Sequence, residues 1–169
     1  MKTYTAAEAR HLMERYCAYQ ERSYSEVEKK LITMRLIPEL REQIMTHLIT
    51  ENYINEARYA QAFAGGKFRI KKWGRIKIQL ALKQKGVSPA NIQTGLAVID
   101  EKEYLDTLYQ VCIKWIQSHG NPEVELPDKT TDFKSFIQEN TSFEARQKML
   151  KYLQSRGYEL DLVFKYIIP

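Results

Sequence analysis

The chain has 169 residues, 44% of them hydrophobic and 28% charged, with 26 basic against 21 acidic side chains for a net charge of +5. That length suits one domain or an array of small units able to bury roughly 70% of the unfolded surface. No run approaches the roughly 18 apolar residues of a membrane span, and Met1–Arg10 lacks the apolar core of a secretory signal, so a soluble cytoplasmic protein without membrane contact is expected.

In chain order, helix signals dominate and strand signals are scarce. Thr5 with Glu8, Ser25 with Glu28 and Thr141 with Glu144 each fit the capping box, in which a hydroxyl and a carboxylate satisfy orphan backbone N–H groups. Ser88-Pro89 offers a cap followed by proline at the first helical position, Pro38 can play the same part, and Asn55 is a cap with Ile54 placed to staple onto Tyr59. Apolar residues recur at helical spacing at Leu40, Ile44 and Leu48, at Ile92, Leu96 and Ile99, and at Leu160, Phe164 and Ile167. The pattern predicts helices over 5–20, 25–35 and 38–50, then 55–71, 74–85 and 88–99, then 101–119, 142–155 and 159–168. Ile76 to Leu82 alternates as a half-buried strand does, but it has no partner strand nearby and contains strong helix formers, so a helix is expected there. In that helix Ile76/Leu80 and Ile78/Leu82 form two apolar flanks, as in a central helix gripped from both sides. Residues 120–140 hold Gly120-Asn121-Pro122 and Leu126-Pro127-Asp128 and read as a surface connection with one short extra helix.

Self-comparison adds a repeat. Ile78-x-x-x-Leu82-x-x-Lys85-Gly86-Val87 matches Met149-x-x-x-Leu153-x-x-Arg156-Gly157-Tyr158 at an offset of 71. A cation near a helix C-terminus suits the dipole, and the glycine beyond it suits a left-handed cap. Ser25 through Pro38 is a looser third copy without the glycine. The expected fold is therefore all-α, three tandem three-helix repeats: 1–52, a basic unit at 53–100, and 101–169 with a loop insertion near 120–140.

The charge is unevenly spread. Between Glu56 and Asp100 there is no acidic residue but nine basic ones: Arg58, Lys67, Arg69, Lys71, Lys72, Arg75, Lys77, Lys83 and Lys85. The segment carries +9, and the remaining 17 basic and 21 acidic residues net −4. Such a patch suits a polyanion or an acidic surface, of which a phosphate backbone is the commonest, with a solvated basic face that has no partner as the alternative. Phe68 and Trp73, interleaved with these cations, are candidates for stacking on bases or a partner, with core packing as the alternative. The ten candidate binding residues are the nine cations and Trp73.

Catalytic chemistry is hard to find. Gly65-Gly66-Lys67 lacks the spacing and following hydroxyl of a phosphate loop and reads as a kink or break in a long helix. Cys17 and Cys112 lack ligand spacing and read as reduced core thiols, and His11, His47 and His119 are scattered. No enzyme activity, cofactor or metal is expected.

At Tyr53-Ile54-Asn55-Glu56-Ala57-Arg58-Tyr59-Ala60, then Gly74, Ile78, Leu82 and Lys85-Gly86-Val87, the chain resembles the bacterial regulatory RecX family, and Met149 to Tyr158 resembles the family's last unit. Asn55 stands where an acid is commoner, Arg35 where a glycine would close the first unit, and Asp132 to Asn140 reads as additional. The resemblance implies an elongated all-helical crescent of helix-turn-helix, homeodomain-like units. It also implies a regulator that binds the RecA filament and inhibits its recombinase, ATPase and coprotease activities in DNA repair and recombination. A monomer is expected, touching RecA and single- or double-stranded DNA through the basic strip. The alternative is a helix-turn-helix transcription regulator.

Overall fold

A computed structural model describes residues 4–128 and 132–168, so residues 129–131 of the expected connection lie outside it. Among the described residues there are ten helices and no strand: α1 (Ala6–Tyr19), α2 (Tyr24–Thr33), α3 (Pro38–Thr50), α4 (Glu56–Lys71), α5 (Arg75–Gln84), α6 (Pro89–Leu96), α7 (Glu101–His119), α8 (Phe133–Asn140), α9 (Phe143–Arg156) and α10 (Leu160–Tyr166). The alternating stretch Ile76–Leu82 is helical, and the extra element in the connection is α8. None of these helices is long and apolar enough to cross a membrane.

Two capping assignments need correction. Thr5 caps α1 with Glu8 as expected. The second box, however, is Ser23 with Glu26: the Ser23 hydroxyl accepts from the Glu26 N–H, and the Glu26 carboxylate accepts from the Ser23 N–H at 3.0 Å. Ser25 already lies inside the helix, and its hydroxyl donates to the Lys85 carbonyl at 3.0 Å. In α9 the cap is Ser142, because the Thr141 hydroxyl donates back to the Ile137 carbonyl of α8. Gly65-Gly66 does not break α4, which runs through both residues.

The helix ends of the repeat share one backbone device. Gly86 and Gly157 have φ of +79° and +88°, and in both turns paired bonds (Gly86 N–H to Lys83 O with Val87 N–H to Leu82 O, Gly157 N–H to Gln154 O with Tyr158 N–H to Leu153 O) form a Schellman end. Arg35, the residue without a glycine in the loose copy, adopts the same left-handed region at φ +56°, and its N–H bonds to Ile32 O. The first turn thus keeps the geometry with a residue for which that region is uncommon.

The chain packs as two compact units, Met1–Gly65 with Ala81–Val98, and Gly66–Leu80 with Ile99–Pro169. In the first unit α1, α2 and α3 close around Ala9, Met13, Cys17, Val27, Leu31, Ile44, Leu48 and Ile54. There α6 crosses α4 so closely that a Cβ on Gly95 would lie 2.8 Å from the Ala60 carbonyl oxygen. Glu56 ties the same two helices, accepting from the Ser88 hydroxyl at 2.7 Å, the Ser88 N–H at 3.2 Å and the Asn91 amide at 2.5 Å. In the second unit α7 contributes Tyr104, Leu108 and Cys112, fully buried with Phe68, Ile78, Ile137, Met149, Leu153, Val163 and Ile167. Cys17 and Cys112 are buried and unpaired, and burial pushes the Cys17 thiol up to about 11.

Two apolar stripes are narrower than the spacing predicts. In α5 only one flank is covered: Ile78 is fully buried, whereas Ile76 and Leu80 are 42% and 55% exposed. In α10 the core takes Val163 and, just past the helix end, Ile167, while Leu160 and Phe164 are exposed. With no Cys–Cys bond among the described residues, these packed faces and the capped ends hold each unit together.

Candidate nucleic-acid and partner interface

The basic residues lie on α4, on α5 and on the turns that follow them. Three belong to the first unit. Arg58 donates to the Glu21 carboxylate at 2.5 Å and to the Asn52 carbonyl at 3.1 Å. Lys85 donates to Glu26 at 2.8 Å, and Lys83 is exposed. Burial alone would raise the Glu26 pKa, but the hydrogen bond from Lys85 and the Ser23 N–H outweigh it and hold it below the usual range; the same bond raises Lys85. Arg58 and Lys85 therefore spend their charge within the unit.

The other seven candidates, Lys67, Arg69, Lys71, Lys72, Trp73, Arg75 and Lys77, fall together in the second unit. They occupy the last turns of α4, a three-residue turn, and the first turn of α5. The turn is tight because Lys72 adopts a left-handed φ of +54° and Gly74 follows two residues later. At the C-terminus of α4 the Lys72 N–H donates to the Phe68 carbonyl at 2.9 Å and the Trp73 N–H to the Lys67 carbonyl at 3.3 Å, which leaves the last carbonyls of α4 and the first N–H groups of α5 to find partners elsewhere. The turn between α9 and α10 supplies them. At the C-terminus of α4, the Arg156 guanidinium donates to the Lys71 and Lys72 carbonyls, and the Tyr158 hydroxyl donates to the Lys72 carbonyl at 3.1 Å. A cation there also suits the negative end of the helix dipole. At the N-terminus of α5, the Gly74 N–H donates to the Arg156 carbonyl at 2.8 Å and the Ile76 N–H to the Gly157 carbonyl at 3.0 Å. The Arg75 N–H between them donates to the Tyr104 hydroxyl at 3.0 Å.

Close approach makes this docking possible. A Cβ on Gly74 would sit 2.1 Å from the Gly157 carbonyl oxygen, and one on Gly157 would sit 2.3 Å from Lys77 Cβ. Beneath the turn, Tyr104 is fully buried between Phe68 and Tyr158, with ring centroids 5.7 and 5.4 Å away. Its hydroxyl donates to the Glu159 carboxylate at 2.6 Å. Burial, then the Glu159 hydrogen bond, push the Tyr104 pKa far above the usual phenol range, so the hydroxyl is a fixed proton donor at any working pH.

The second-unit cations divide by what holds them. Arg75 is built in: its guanidinium meets Glu101 at 2.6 Å and Glu159 at 3.8 Å and lies over the Tyr104 ring at 4.1 Å. Arg69 meets Glu103 at 3.4 Å, an exposed pair that adds little. Among the described residues no carboxylate lies within 4.0 Å of the Lys71, Lys72 or Lys77 ammonium groups. Lys77 donates to the Ser155 carbonyl at 3.0 Å. Of the two aromatic candidates, Phe68 is fully buried and unavailable for stacking, while Trp73 is half-buried beside the Lys67 and Lys77 ammonium groups. Sequence reasoning missed Tyr104, Arg156 and Tyr158, which position the strip. The repeat that marked Arg156-Gly157-Tyr158 identified a helix end but carried no signal of what that end touches.

The profile described as "RecX, second three-helix domain" matches residues 55–96. Among relatives, "Regulatory protein RecX" of Lactobacillus johnsonii is 30% identical over 147 residues, covering 87% of this chain and 48% of the relative. The chain is similar to RecX proteins along most of its length. The RecX of Staphylococcus haemolyticus is 23% identical over 88% of this chain and 48% of its own length. The chain thus spans about half the length of these RecX relatives. The crystal structure of RecX from Lactobacillus salivarius superposes with a TM-score of 0.72 at 18% identity, over 95% of this chain and 93% of that one. Another RecX crystal structure gives a TM-score of 0.74 at 20% identity, over 95% and 72%. These likenesses establish the all-α RecX fold built on three-helix repeats.

Proposed function

We propose that the protein is a regulator of RecA, built of three-helix units at 1–52, 53–100 and 101–169, the last with an insertion near 120–140 that carries α8, and that it binds the RecA filament on DNA and restrains its recombinase, ATPase and coprotease activities. The reading rests on the likeness to RecX proteins and on one observation above the rest. Lys71 ends α4 and Lys72 begins the turn, on backbone that hydrogen bonds hold, and among the described residues no carboxylate lies within 4.0 Å of either ammonium. Cations carried on such a held backbone and without a counter-charge of their own are open to phosphates, and binding through them falls with salt. Residues outside the basic segment net −4, which weakens attraction to free DNA and favours DNA already coated by protein. The proposed protein is a cytoplasmic monomer and acts without catalysis of its own.

The transcription-regulator reading has less support. A helix-turn-helix reader places its recognition helix in the major groove. In the basic unit the third helix, α6 (Pro89–Leu96), has no charged residue, and its Asn91 amide is held by Glu56. The test is RecA ATPase on single-stranded DNA with substoichiometric protein. Inhibition without preference between duplex sequences supports the proposal. Unchanged ATPase together with preference for one duplex by orders of magnitude refutes it.

A further inference from the structure

The proposed interface contains two aromatic residues; one is buried and the other already meets two cations of this chain. Phe68 is fully buried against Tyr104. The Trp73 ring is occupied by this chain's own cations: the Lys67 ammonium lies 5.1 Å from the ring centroid, and the Lys77 ammonium lies 4.9 Å from it. One comes from α4 and the other from α5, so the ring gathers charge from both helices that flank the turn. Indole is the best aromatic partner for such cations, because electron density concentrates on its faces. The Lys77 ammonium is further fixed by its bond to the Ser155 carbonyl. A base stacking on this ring would have to displace charges that attract the strand in the first place.

We infer that the strip takes the phosphodiester backbone of a nucleic acid without stacking on its bases, and that Trp73 is a positioning residue that sets the Lys67 and Lys77 ammonium groups for phosphates. This rests on the nucleic-acid part of the proposed function and narrows its ligand to a base-independent polyanion. Single-strand binders of the opposite design rely on aromatic platforms, each worth about fivefold or more in affinity per stacked base.

The unmodified protein can be tested at low salt with labelled oligo-dT against an abasic oligonucleotide of equal length and charge. Equal affinities, within about twofold, are expected, since counterion release sets both. Trp73→Leu should weaken both strands by the same factor and lower the slope of log K against log salt by about one to two, as two lysines lose their alignment. Trp73→Phe, which keeps a ring face, should restore most of both. Tighter binding of oligo-dT by fivefold or more, or a Trp73→Leu loss confined to oligo-dT, overturns the inference and leaves the proposed function standing. Absence of binding to either strand overturns the inference and the DNA contact together.

Discussion

Adding one methyl group at three glycines should give three different outcomes, because the surroundings differ while the chemistry does not. At Gly74 the new Cβ would lie 2.1, 2.2 and 2.4 Å from backbone atoms of Gly157 and Tyr158, far inside any real contact. Backbone cannot swing aside as a lysine end can, so the two turns must separate. Separation breaks the Gly74–Arg156 and Ile76–Gly157 bonds at 2.8 and 3.0 Å and leaves their groups without partners. At about 1–3 kcal/mol for each buried group left unsatisfied, Gly74→Ala should cost about 3–5 kcal/mol. At Gly86 the Cβ meets nothing within 4 Å, and only the φ of +79° is strained, so Gly86→Ala should cost about 1–2 kcal/mol. At Gly66, inside α4 with open space around it, alanine should stabilise by about 0.5–1 kcal/mol. Urea unfolding followed by far-ultraviolet circular dichroism reads all three. A Gly74→Ala loss no larger than that of Gly86→Ala would refute the docking of the basic turn on the α9–α10 turn.

Tyr104→Phe removes the hydroxyl shared by the Arg75 N–H and the Glu159 carboxylate, and should destabilise by about 1–3 kcal/mol in the same assay. Lys72→Gly should separate stability from binding: glycine relieves the left-handed φ of +54° and gives a gain of up to about 1 kcal/mol, while loss of the charge weakens DNA or filament binding and its salt dependence. Glu56 gives a pH signature. Burial raises its pKa, but the Asn91 and Ser88 hydrogen bonds prevail and hold it below the usual carboxylate range in the folded state. Its contribution is therefore present above the unfolded pKa and lost as pH falls through the folded one. Glu56→Gln should lower stability at neutral pH by about 1 kcal/mol, and the gap to the unmodified protein should close as the pH falls through the lowered folded-state pKa.

Much of the helical frame is legible from the chain because caps and periodicity are local. Predicted and observed bounds agree within about two residues for most helices, as expected when element ends fray. The errors are instructive. At Ser23/Ser25 and Thr141/Ser142, two hydroxyls compete for one cap, and another acceptor takes one of each pair: the distant Lys85 carbonyl for Ser25 and the Ile137 carbonyl at the end of the preceding helix for Thr141. In α5 and α10 the apolar spacing overstated the buried face, since a helix buries only what its neighbours reach. The basic strip was visible as composition, yet its division between paired Arg58, Arg75 and Lys85 and unneutralised Lys71 and Lys72 depends on carboxylates 26 to 84 residues distant. No local pattern carries such distances. Arg35 runs the other way: a departure from the glycine pattern that nevertheless keeps the left-handed turn.

The most direct trial of the cationic turn is a titration of RecA ATPase on single-stranded DNA with the unmodified protein and with Lys71→Glu/Lys72→Glu. Both lysines are free of ion pairs among the described residues, so helicity should be unchanged. The unmodified protein should inhibit at substoichiometric amounts, and the double variant should lose that inhibition at least tenfold, as two phosphate contacts turn repulsive. Equal inhibition by both would show that the turn is a solvated face with no part in the function.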